Sequence, residues 1–152
     1  MAAVRTATVT WNGDLASGNG TTSAGTSGQF TDLPVSWASR TEDAAGRTSP
    51  EELLAAAHAS CFAMQLSSVL AKAGTPPDHV HVEAEVTFDK VGDAPWTVVS
   101  SRLIVLGTVP GIDEGAFAAA AADAKETCPI SRALRGNVEL SVDATLEEEG
   151  AH

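Results

Sequence analysis

Cysteine is scarce in this chain. Its 152 residues include two, Cys61 and Cys128. That count excludes a disulfide-rich secreted scaffold and a four-cysteine zinc site. It leaves three options: inert core thiols, a redox pair, or one nucleophile with a bystander. Basic residues are also few, Lys+Arg 9 against Asp+Glu 20, for a net charge of −11. A nucleic-acid binder needs a basic face to displace counterions, and docking on anionic lipid needs the same sign of charge. Neither partner is expected, and the surplus of carboxylates reads as solubility. No apolar stretch is read as reaching the ~20 residues of a membrane span. The start, Met1-Ala2-Ala3-Val4-Arg5, lacks the basic and then apolar regions of a signal peptide, so the default location is the cytoplasm. No internal repeat or low-complexity block is present, and Gly18-Asn19-Gly20 is too turn-like to read as a phosphate cradle.

What is there reads as one globular domain over residues 1–152, with 43% hydrophobic residues and a length that can bury its own core. Three short strands are expected early, over Val4–Trp11, within Leu15–Ala24 and within Gln29–Trp37, with a hairpin signal at Asn12-Gly13-Asp14. A polar loop spans 41–48. Ser49-Pro50-Glu51-Glu52 then opens a helix, with serine as the cap, proline first, and glutamate three after the cap. The run Leu53–Ala73 is apolar or small all round, the pattern of a buried helix. Two strands with period two follow. Val80, Val82, Ala84, Val86 and Phe88 alternate with polar residues in the first, and the second runs Trp96–Leu106. An Ala-rich helix from Asp113 to about Glu126, a short helix after Cys128-Pro129, and a last strand at Val138–Leu146 complete the chain. Glu147-Glu148-Glu149 reads as a solvated end. Strands and helices do not alternate regularly, so the class is α+β.

The two thiols sit in different local settings. Cys61 lies about three turns into the apolar helix, beyond the reach of its dipole, where burial keeps a thiol protonated and inert. Cys128 precedes Pro129 at a helix start, where free backbone amides lower a thiol pKa. On local grounds Cys128 is the better activated of the two. His58 and Cys61 share a helix face and form a possible Cys–His hydrolase pair, though no orienting acid is visible beside them. His58, Cys61 and Cys128 lack a fourth ligand for a metal. His79 and His81 read as surface.

The segment Ser49-Pro50-Glu51-Glu52-Leu53-Leu54-Ala55-Ala56-Ala57-His58-Ala59-Ser60-Cys61-Phe62, followed by Cys128-Pro129-Ile130-Ser131, resembles the OsmC/Ohr family, osmotically inducible protein C and organic hydroperoxide resistance protein. The histidine before the cysteine, with Arg40 ahead of the polar loop, resembles the OsmC branch. The resemblance covers nearly the whole chain. It implies an intertwined α+β homodimer, with antiparallel sheets around a long buried central helix. It also implies a thiol peroxidase in which Cys61 is peroxidatic and Cys128 resolving. Arg40 would stabilise the thiolate and Glu51 would orient Arg40; Arg47 competes for the arginine role. No metal, haem or flavin is required, and the reductant implied is a lipoyl-type dithiol. A pocket walled by Phe62, Met64, Ile130 and a tryptophan would favour organic peroxides.

Geometry adds one expectation of its own. Glu51 and Cys61 are ten residues apart on one helix, about 15 Å of rise. One chain does not easily bring both to the same arginine, whereas a partner helix packed antiparallel does. The small residues Ala55, Ala56, Ala57, Ala59, Ser60 and Ala63 permit the close approach. The alternative reading is a non-enzymatic, stress-induced binding or structural dimer in which both cysteines only pack.

Overall fold

The computed structural model of the chain describes residues 1–148, so the last residue of the expected acidic end, Glu149, lies outside the described residues. The chain divides into two compact units, Met1–Leu53 and a second that begins at Leu54.

The first unit holds an antiparallel sheet of β1 (Ala7–Asn12), β2 (Asn19–Ala24) and β3 (Leu33–Val35), in that order. The turn after Asn12 is wider than a two-residue hairpin. The Asp14 carboxylate accepts from the amide and hydroxyl of Ser17, at 2.8 and 2.7 Å, and builds an Asx-type loop. Gly20 lies opposite Trp11, and a Cβ there would come within 2.7 Å of the indole ring. A short helix, α1 (Trp37–Thr41), follows a stretch expected to be extended. Its cause is local: Ser36 and Ser39 cap each other reciprocally.

α2 runs Pro50–Lys72. Its start follows the sequence signal, with Ser49 Oγ accepting from the Glu52 amide at 3.1 Å. The Glu52 carboxylate takes the Thr48 hydroxyl at 2.7 Å rather than reaching back to the cap. Two expectations for α2 are corrected. At 23 residues, with mean hydropathy 1.5 over its most apolar stretch, it is long and apolar enough to cross a membrane by length and composition. The helix is also buried on one face only. His58, Phe62, Leu66 and Leu70 are buried, whereas Ala56, Ala57, Ser60 and Met64 are exposed. A helix apolar all round needs cover on every side, and here its own chain covers one.

In the second unit, β4 (His79–Asp89) and β5 (Thr97–Thr108) form an antiparallel hairpin, and β6 (Glu139–Leu146) joins the other edge of β5. Along β4 the apolar set is half-buried and the alternate residues, His79 and His81 among them, are exposed. β6 runs parallel to β5, which corrects the expectation of antiparallel sheets. The reason is the connection: α3 (Glu114–Thr127) and α4 (Pro129–Leu134) form a crossover long enough to return the chain in the same direction. Phe62, Leu66 and Leu70 of α2, Leu103 and Val105 of β5, Phe117, Ala121 and Ala124 of α3, and Cys128 make one core. The class is α+β with a long helix, as the order of elements predicted.

Candidate active site

In the first unit, α1 and the start of α2 bring Arg40 and Glu51 together. Arg40 Nη2 donates to Glu51 Oε1 at 2.6 Å, and Arg40 Nε donates to both carboxylate oxygens at 3.2 Å. Glu51 is buried, so its charge is held by a two-pronged guanidinium contact. The guanidinium also lies 5.6 Å from the centre of the Trp37 ring, within cation–π range. The placement follows from local chemistry. Ser39 Oγ donates to the Thr48 carbonyl at 2.8 Å, which ties α1 to the segment entering α2. Arg47 is exposed in the turn before that segment. Beside Arg40 is a cavity of about 520 Å³, lined by Val9, Trp11, Leu15, Trp37 and Leu53 among others.

In the second unit, Cys61 and Cys128 are both free thiols, Cys61 partly buried and Cys128 fully so. Their side chains lie close enough for Cys128 to act on the Cys61 thiol. Burial first, and then the neighbouring Cys128 side chain, push the Cys61 thiol above its ordinary value of 9.0; a hydrogen bond from the Ile130 amide pulls the other way. Cys128 ends α3 and begins α4. Its amide donates to the Ala124 carbonyl and its own carbonyl accepts from Arg132, both at 2.9 Å. Its sulfur makes no capping hydrogen bond. The local expectation that the Cys128 sulfur caps this helix start is therefore not met. The Cys128 side chain is fully buried in the core.

His58 is completely buried one turn before Cys61. Its Nδ1 is 2.6 Å from Ser101 Oγ and its Nε2 is 2.8 Å from Ser131 Oγ. Burial pulls its pKa below the ordinary 6.5, so the ring is neutral at pH 7. With both nitrogens engaged by serines, His58 is not available as a base for Cys61, and the hydrolase reading loses its geometry. The expected substrate wall also comes apart. Phe62 points into the core and Met64 outward, because residues two apart on a helix face nearly opposite ways. No three His, Cys, Asp or Glu side chains among the described residues are grouped to hold a metal ion.

Ser101 and Ser131 went unnoticed as partners of His58. One signal was present: Ser101 occupies an inward position of β5, in period with Leu103 and Val105, where a polar residue needs a buried partner.

Positions 41–143 match the family of OsmC-like proteins. The chain is 40% identical to the peroxiredoxin OsmC of Escherichia coli over 130 residues, 86% of this chain and 89% of that protein. It is 30% identical over 96 residues to an organic hydroperoxide resistance protein of Xanthomonas axonopodis pv. citri, 62% of this chain and 65% of that one. Among solved structures, the organic hydroperoxide resistance protein OhrB of Bacillus subtilis superposes with a TM-score of 0.69 at 29% identity, covering 92% of this chain and 98% of its own.

Proposed function

The chain belongs to the OsmC/Ohr family, and from that premise we propose that it is a cysteine-based peroxidase, a peroxiredoxin-type oxidoreductase acting on organic hydroperoxides and hydrogen peroxide. The observation that carries this reading is the pairing of two free thiols, Cys61 packed against the core that contains Cys128 and close enough for Cys128 to shift its chemistry. Cys61 is the peroxidatic residue. Its thiolate attacks one peroxide oxygen, the O–O bond breaks, the alcohol or water leaves, and Cys61 becomes a sulfenic acid. The Cys128 thiol then attacks that sulfur, water departs, and a Cys61–Cys128 disulfide remains. An external dithiol, of lipoyl type, restores both thiols by exchange. The cycle uses thiol chemistry alone and takes place in the cytoplasm.

A thiol raised by burial needs a cation to ionise at pH 7. We assign that role to Arg40, oriented by Glu51. Ten residues of α2 separate Glu51 from Cys61, about 15 Å of rise, so the Arg40–Glu51 pair of one chain suits the Cys61 of a second. The exposed small residues Ala56, Ala57 and Ser60 allow two α2 helices to approach closely. The active unit in this reading is a homodimer. The apolar cavity beside Arg40 supports a substrate with a hydrocarbon tail.

The test is a panel of peroxides supplied to the purified protein with a dithiol reductant. Turnover of organic peroxide that disappears in Cys61→Ser is expected. Turnover no greater than that of Cys61→Ser sinks the enzyme and leaves the binding dimer. Cys128→Ser should react once and then accumulate sulfinic acid at Cys61, detected by mass spectrometry.

A further inference from the structure

Among the buried polar groups, one cluster takes no part in the reaction as described: His58 with Ser101 and Ser131. Its place in the chain is informative. His58 precedes Cys61 by three residues on α2, and Ser131 follows Cys128 by three residues on α4. The cluster therefore joins the two segments that carry the reactive sulfurs, one turn away from each, and ties both to β5 through Ser101. Ser131 is also the single buried side chain of α4; Pro129, Arg132 and Ala133 are exposed and Ile130 is partly so. A six-residue helix has little hold of its own. Ile130 packs partly buried against the core and Leu134 is half-buried, but the one fully buried side chain is a hydroxyl, and it meets a histidine that is completely buried.

We propose that His58 is a positioning residue for resolution: through Ser131 it clamps the Cys128 turn against Cys61, so that the sulfenic acid meets Cys128 before a second peroxide. The inference rests on the peroxidase reading above. In a neutral ring one nitrogen donates and the other accepts, and each serine hydroxyl supplies the complementary half. Every buried polar atom of the cluster then has a partner, and the arrangement is directional in a way that apolar packing is not. Two fates compete for the same intermediate. Cys61–SOH and Cys128–SH give the disulfide and water. Cys61–SOH and a second hydroperoxide give Cys61–SO₂H and an alcohol. The first requires the Cys128 turn to be in place; the second does not. Both start from the sulfenic acid, so their ratio is independent of how fast that acid forms.

The experiment titrates pre-reduced, full-length protein with cumene hydroperoxide and measures disulfide against sulfinate by mass spectrometry. In Ser131→Ala the peroxide concentration giving half sulfinate should fall about fivefold, the factor that one neutral hydrogen bond represents. The equilibrium with glutathione should shift toward the dithiol by a similar factor, about 20 mV. Ser101→Ala removes an equally buried hydroxyl from the same ring but leaves the link to α4, and should stay within twofold of wild type. His58→Asn, which shortens the bridge, should shift in the direction of Ser131→Ala and carries the test if that variant does not fold. Unchanged partition in both Ser131→Ala and His58→Asn overturns the clamp. So does a shift in Ser101→Ala as large as that in Ser131→Ala, which would make the cluster ordinary core support. A wild-type protein that forms no disulfide overturns the Cys61–Cys128 reading itself, a different outcome from a normal disulfide in an unaffected variant.

Discussion

His58 shows at the scale of one residue how burial sets chemistry. Its pKa lies below 6.5 because the core disfavours the imidazolium. Below about pH 6.5 the unfolded chain therefore binds a proton that the folded one refuses, so the folded state loses stability as pH falls through that range and keeps it above. Denaturant melts at pH 7.5 and 5.5 should show this loss, and the share due to His58 should vanish in His58→Gln. An equal pH dependence in both proteins would refute the assignment. Gly107 makes a second point. A Cβ there would lie 2.4 Å from the ring of Phe117, which is fully buried in the core. Gly107→Ala should cost about 1–3 kcal/mol in equilibrium unfolding, because a packed ring cannot withdraw without displacing its neighbours. Nothing in the sequence around Gly107 marks that constraint; it arises between β5 and α3.

At the scale of elements, the junction of α1 and α2 places the cation. Serines cap both helices, and Ser39 ties α1 to Thr48. The cap on α2 was legible, because Ser-Pro-Glu-Glu is a local code that needs no tertiary partner. The cap on α1 was not legible because Ser36 and Trp37 fall inside a segment, Gln29–Trp37, that reads as a strand. Arg40→Ala should lower kcat/KM for organic peroxide by about 10²-fold or more, the usual loss when a charge-stabilising donor is removed. It should also destabilise the fold by roughly 3–5 kcal/mol, since Glu51 is left buried without its guanidinium. Arg40→Lys keeps the charge but not the two-pronged contact, and should retain more stability than activity. Steady-state kinetics and thermal melts on the two variants distinguish these effects; activity equal to wild type in Arg40→Ala would remove Arg40 from the site.

The whole molecule leaves apolar surface uncovered. β1 is exposed along its length, Val9 is 63% and Met64 72% exposed, and α2 turns Ala56, Ala57 and Ser60 outward. Patches of this kind are commonly covered by a partner. Light scattering at micromolar concentration should give twice the 15.5 kDa of the chain, and Ala57→Glu should give a monomer with little peroxidase activity. A wild-type monomer that turns over peroxide would refute the shared site. The α+β class, the period-two strands of the second unit, the start of α2 and the pairing of Arg40 with Glu51 were readable from the sequence, because periodicity, caps and family motifs are written in neighbouring residues. Three features were not. The parallel placement of β6 depends on where the α3–α4 crossover returns, the Ile130 amide reaches Cys61 only because that crossover docks on α2, and Ser101 and Ser131 meet His58 from 43 and 73 residues away. Contacts of that range are set by packing, so the sequence by itself determined the elements, the helix start and the set of candidate side chains, and the tertiary structure decided which of them touch.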